Sequence, residues 1–167
     1  WLIAHNPVFI TDPNFENEVA GGGLFVAYDK VSDASAEVLL KAHVRNDSRK
    51  AFTGVVEYEL QQPDGTQVAF LNDEIQIRPG KAITSKDKLI VKTPMLWSPE
   101  TPTLYNLIVR IRDREGNVVD GYRRRIGIRS VEFKGKDGFW LNGKPYESPL
   151  IGANRHQDFA VVGNRSE

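Results

Sequence analysis

Ala36-Glu37-Val38-Leu39-Leu40-Lys41-Ala42-His43-Val44-Arg45 is the stretch on which the fold turns. Ala36, Val38, Leu40, Ala42 and Val44 occupy every second position, and between them stand Glu37, Lys41, His43 and Arg45. Leu39 is the one apolar exception. Successive side chains of a strand point to opposite faces, so this pattern predicts a strand with one buried face. The same alternation returns at Val56, Tyr58 and Leu60 against Glu57 and Glu59. It returns again at Tyr105, Leu107, Val109 and Ile111 against Asn106, Ile108, Arg110 and Arg112. Further strands are predicted over residues 24–28, 68–77, 83–91 and 118–128. Between them lie Asn46-Asp47-Ser48, Pro63-Asp64-Gly65, Pro79-Gly80 and Glu115-Gly116-Asn117, each with the chemistry of a turn. No segment carries a strong helical period. The predicted fold class is all-β: an immunoglobulin-like antiparallel β-sandwich of seven or eight strands, with a short C-terminal extension.

Composition sets the outer limits. The chain has 167 residues, 40% hydrophobic and 26% charged, which excludes a disordered acidic or low-complexity chain. A chain of this size buries about 70% of its unfolded surface, enough for one core without staples. Lys and Arg number 22 and so do Asp and Glu, so the net charge is 22 − 22 = 0. That balance argues against a nucleic-acid partner and against an anionic membrane surface. Cysteine is absent, which removes disulfides, thiolate metal sites and a cysteine nucleophile, and leaves the compartment open. No apolar run reaches the ~20 residues of a membrane helix. The chain begins with Trp1 and not Met, as expected of a processed or excised piece of a longer protein.

Most candidate sites read as structure. Glu57 and Glu59 lie about 7 Å apart by strand rise, a separation suited to glycoside hydrolysis, but alternation places both on the outer face as solvated carboxylates. His5, His43 and His156 show no metal-ligand spacing, so no metal site and no cofactor is expected in this chain. Gly21-Gly22-Gly23 precedes a strand and not a helix, so it reads as a flexible connection and not as a phosphate loop. Arg123-Arg124-Arg125 alternates between faces and is expected to find Asp and Glu partners. Trp97, among Ser98, Pro99 and Pro102, reads either as a cap on the core or as a sugar-stacking platform.

Beyond residue 131 the character changes. Lys134-Gly135-Lys136-Asp137-Gly138 is a polar break, and Asn142-Gly143 predicts a tight hairpin between Phe139-Trp140-Leu141 and Lys144-Pro145-Tyr146. A tail of about 35 residues cannot build a second core. Its apolar residues are expected to leave it disordered, packed back on the sandwich, or self-associated. Leu150-Ile151-Gly152-Ala153 then runs into Asn154-Arg155-His156-Gln157-Asp158. That cluster reads either as a solvated loop or as the polar mouth of a buried strand.

Four segments resemble one family in order and spacing. Leu96-Trp97-Ser98-Pro99-Glu100-Thr101-Pro102-Thr103-Leu104-Tyr105 is similar to the LWSPExPxLY segment of family 2 glycoside hydrolases, the β-galactosidase and β-glucuronidase group. Arg125-Ile126-Gly127-Ile128-Arg129-Ser130-Val131-Glu132 resembles the RIGIRxVE segment that follows it. Leu141-Asn142-Gly143-Lys144-Pro145 and Ile151-Gly152-Ala153-Asn154-Arg155-His156 resemble the next two. Residues 145–150 depart from the commoner pattern, in which an apolar run and a basic residue follow LNGKP.

The resemblance implies a sugar-binding-like jelly roll, then the sandwich, then a (β/α)8 barrel with the catalytic carboxylates. Residues 1–131 would be the sandwich and 132–167 the truncated start of the barrel. Neither catalytic glutamate of the family has a match here. Arg155 and His156, and with them Asp158, are implied to contact the sugar substrate. The implied partners are the other domains of the parent glycosidase and its carbohydrate substrate, with the isolated chain inactive. The alternative is a free-standing carbohydrate-binding or interaction sandwich, using an aromatic such as Trp97, Trp140 or Tyr105.

Overall fold

A computed structural model describes residues 4–13, 16, 22–148 and 151–152. Strand β1 spans Val8–Ile10, β2 Leu24–Asp29, β3 Ser35–Asn46 and β4 Phe52–Gln61. Then come β5 over Gln67–Ile77, β6 over Lys81–Lys92, β7 over Tyr105–Asp113 and β8 over Val118–Ile126. These eight form two antiparallel sheets. In the first, β6 pairs with the whole length of β3, while β1 and β2 lie end to end along its other edge. The second has the order β5-β4-β7-β8. The immunoglobulin-like sandwich expected from alternation is therefore present.

The period of two fills the core. Ala36, Val38, Leu40, Ala42 and Val44 face Val56, Tyr58, Leu60, Leu107, Val109 and Ile111, all essentially inaccessible to solvent. Polar residues tie the sheets at their ends. The Asn46 carboxamide donates to the Ile77 carbonyl in the other sheet at 3.1 Å and to Lys50 O at 2.8 Å. Tyr105, buried at the start of β7, accepts a hydrogen bond from Met95 N–H at 2.8 Å. The hydroxyl thereby anchors the loop before β7 to the buried start of that strand.

Two readings of the sequence are corrected at the N-terminal edge. Strand β1 was not anticipated, because three residues carry too little pattern; it is held by Asp120, whose carboxylate accepts from Ile10 N–H at 2.7 Å. Nor is the glycine run a loose connection at its described end. Gly23 is buried with φ +69°, and its N–H donates to Thr11 Oγ1 at 2.9 Å. The same hydroxyl bonds His43 Nδ1 at 2.8 Å, so His43, nominally on the outer face, is buried beneath the N-terminal segment.

Beyond the sandwich, β9 spans Val131–Phe133, β10 Phe139–Leu141 and β11 Lys144–Pro145. They form a small antiparallel sheet in the order β11-β10-β9, with a single 3-10 turn over Gly135–Asp137. The Asn-Gly hairpin is present, with φ of +52° at Asn142 and +75° at Gly143. Positive φ at both central residues is the geometry of a type I′ turn. The sequence missed β9, the third strand of this unit. No helix among the described residues is long and apolar enough to cross a membrane.

Candidate functional site

The outer face of the second sheet tests the carboxylate reading first. Glu57 and Glu59 do point outward, but they are not free in solvent. Glu57 is 9% exposed and pairs with the Arg112 guanidinium. Glu59 pairs with Arg110 at 2.7 Å and accepts from Gln61 at 2.5 Å. The hydrogen bond from Arg110, then that from Gln61, holds the Glu59 carboxyl below its ordinary range. Cross-strand pairing thus engages both carboxylates with arginines of β7.

The arginine run behaves otherwise than expected. Arg123 donates to Asn106 Oδ1 at 3.1 Å and Arg124 lies over the Tyr122 ring at 4.5 Å. Among the described residues no carboxylate pairs with Arg123, Arg124 or Arg125, because their neighbours on β7 are Ile108, Leu107 and Asn106.

One half-buried carboxylate, Asp87, lies at the edge of the core on β6. Tyr58 Oη and Ser85 Oγ are 2.7 Å apart, and Ser85 Oγ donates to Asp87 at 3.2 Å. Burial raises the Asp87 carboxyl above its ordinary range, the Asp73 charge adds to that, and the Ser85 hydrogen bond opposes it. Burial also raises the Tyr58 phenol. This cluster fastens the polar edge of the core. Among the described residues no three His, Asp or Glu side chains could together hold a metal ion.

The end of the sandwich beside β9–β11 is the most elaborated region. Trp97 N–H donates to Ile128 O at 2.8 Å. Its indole lies against Gly127, where an added Cβ would sit 2.8 Å from ring carbons. The Arg129 guanidinium lies over the same ring at 4.9 Å. Trp97 therefore caps the core, and its aromatic surface is already engaged. Trp140 carries the Lys134 ammonium 3.6 Å from its ring centre and donates to Asp137 O, while Tyr105 is fully buried. The three aromatics named as sugar platforms are thus occupied or inaccessible.

Asn142 joins this end to the hairpin through its carboxamide and its backbone. Tyr146 Oη donates to Glu100 at 2.8 Å. That hydrogen bond raises the Tyr146 phenol; Glu100 is lowered first by its own backbone N–H and then by Tyr146. Between the Trp97 loop and the hairpin runs a cleft of about 640 Å³, lined among others by Ser98, Glu100, Leu141, Lys144 and Tyr146. Sequence reasoning missed Gly127 and Asn142, whose partners lie 30 and 45 residues away. The signal was present only as a glycine beside arginines and an Asn-Gly dipeptide. Arg155, His156 and Asp158 lie outside the described residues, as do Leu150, Phe159, Val161 and Val162 of the tail.

Fold and site together define an immunoglobulin-like sandwich domain with a hairpin fastened at one end. Its sequence matches the family described as glycosyl hydrolases family 2 over residues 22–129, and the chain belongs to that family. It is 30% identical over 163 residues to the beta-galactosidase BoGH2A of Bacteroides ovatus, covering 98% of this chain and 18% of that protein. It is also 30% identical to a beta-glucuronidase of Bacteroides fragilis, covering 88% of this chain and 21% of that one. Among solved structures, the Bacteroides uniformis beta-glucuronidase superposes with a TM-score of 0.78 at 31% identity, covering 94% of this chain and 18% of that one. The chain spans about a fifth of the length of these relatives.

Proposed function

We propose that this chain is the non-catalytic sandwich domain of a retaining glycoside hydrolase that cleaves O-glycosidic bonds, β-galactosidase-like in kind, and that it scaffolds a catalytic barrel. The observation that carries this reading is proportion: nearly the whole chain aligns with the Bacteroides ovatus beta-galactosidase, yet that alignment occupies 18% of the relative. Retaining hydrolysis needs two carboxyl groups about 5–5.5 Å apart, one protonated. Glu57 and Glu59 are instead paired with Arg112 and Arg110, an arrangement that stiffens a sheet. Residues 1–131 form the supporting domain and 132–167 begin the barrel. Arg155, His156 and Asp158 would contact the sugar in the parent enzyme, and the other domains of that enzyme are the partners.

The purified chain, assayed with p-nitrophenyl β-galactoside and β-glucuronide, is expected to give buffer background. Turnover that co-elutes with the chain and scales with its concentration would overturn the reading. A second reading, self-association through the hairpin sheet, is favoured by the outward Val131 and Phe133. Size-exclusion against a variant ending near Glu132 checks it: a dimer that becomes a monomer supports that role, and unchanged elution removes it.

A further inference from the structure

The hairpin sheet meets the sandwich around one side chain. Asn142 Nδ2 donates to the Trp97 carbonyl at 3.0 Å, and Asn142 Oδ1 accepts from Ser130 N–H at 3.1 Å. Its backbone N–H donates to Ser130 O at 3.0 Å. The two ends of the carboxamide face a backbone acceptor and a backbone donor respectively, so one orientation satisfies both and the flipped one satisfies neither. Trp97 is itself fixed by Ile128 O, Gly127 and Arg129, and Ser130 is the residue where the chain leaves the sandwich for β9. The carboxamide therefore bridges the loop before β7, the exit after β8 and the turn after β10.

An Asn at this position has an ordinary explanation, since the first residue of a type I′ turn needs positive φ and Asn tolerates it. That explanation requires nothing of the side chain. Two hydrogen bonds to partners 12 and 45 residues distant are a separate property. We propose that Asn142 is the positioning residue of the joint: its carboxamide sets the direction in which the chain leaves the sandwich through the hairpin. The inference goes beyond the scaffold reading and does not depend on it, because it is measured on this chain without substrate.

Substitution separates the two roles. Asn142→Gly keeps the turn, since glycine adopts positive φ freely, and removes the carboxamide. The Ser130 amide has Asn142 Oδ1 as its acceptor, so its hydrogen exchange reports the joint directly. In Asn142→Gly we expect the Ser130 amide to exchange about tenfold faster or more, because its protecting acceptor is gone. Trypsin is expected to cut faster after Lys134 or Lys136, while the amides of Val38 and Leu107 keep their protection. Asn142→Asp retains the acceptor for Ser130 but not the donor to Trp97. It is expected to keep Ser130 protected and still speed cleavage of the hairpin. Unchanged Ser130 exchange and unchanged cleavage in Asn142→Gly would reduce Asn142 to a turn former and overturn the proposal. Tyr146→Phe, which removes the neighbouring contact to Glu100, is expected to leave Ser130 exchange as in the parent chain; acceleration there as large as in Asn142→Gly would equally overturn the assignment to Asn142.

Discussion

In the sandwich, Tyr58, Leu60, Tyr105 and Leu107 are wholly buried between two sheets; in the sheet at its end, Leu141 is the one buried hydrophobic residue among those described. Phe133 of that end sheet is 77% exposed, although it stacks toward Phe139 at 5.2 Å and Phe139 toward Tyr146 at 5.7 Å. Both regions are antiparallel. The difference lies in what covers each face. A sheet facing another sheet excludes water from a continuous core, whereas three short strands have no second layer and rely on a few directed bonds. The first region is stabilised by area and the second by Asn142, Tyr146 and Leu141. Loss of a contact should accordingly unfold the one and merely release the other.

The largest effect is expected where area dominates. Leu107→Ala should cost about 2–5 kcal/mol by denaturant unfolding, the usual range for emptying a closed core site. Leu141→Ala should cost the sandwich less and show itself as loss of protection in β10 and β11. Equal losses of global stability would break the contrast. Next comes the contact between the two regions. Gly127→Ala would drive a methyl group into the Trp97 ring, and overpacking of this kind costs about 1–3 kcal/mol. A thermal midpoint unchanged by that substitution would show that the Trp97 cap yields.

Two carboxylates of the sandwich sharpen the picture through pH, with opposite signs. Glu59 sits low because Arg110 and Gln61 favour its charged form, so its contribution is present above the unfolded carboxyl range and lost as pH falls through its folded value. Glu59→Gln should therefore cost about 0.2–1 kcal/mol near pH 7, the range of a partly exposed pair, and that cost should shrink as the pH falls into the acid range. Asp87 sits high because burial and Asp73 oppose its charge. Its stabilising contribution is full below the unfolded value and lost as pH rises through the folded one. Asp87→Asn should raise the thermal midpoint at pH 7 by less than the core substitution lowers it, and the gain should vanish in acid. A loss at pH 7 would mean that the Ser85 hydrogen bond outweighs the burial of charge.

These regions also differ in how much of them could be read beforehand. The core faces of β3, β4 and β7 follow from alternation alone, because a period of two leaves no choice of side once one face is buried. The motif run from Leu96 to Tyr105 and the segment around Gly127 carried the family resemblance without disclosing that they touch. The burial of His43 and Gly23 depends on Thr11 folding over them, a contact between segments that no local pattern encodes. Glu57 and Glu59 were placed on the correct face, but their arginine partners sit on a strand about 50 residues later. Asn142 was legible as a turn residue because that role is local; its bridge to Trp97 and Ser130 was not, because it is tertiary.

The sandwich is a self-sufficient core to which other parts are fastened. Equilibrium urea unfolding of the purified chain, followed by far-UV circular dichroism, tests this most directly. One cooperative transition from a β-rich baseline is predicted, as for a single domain closed by its own two sheets. A gradual loss of signal without a native baseline would contradict it, and would mean that this sandwich needs a neighbour to close its core.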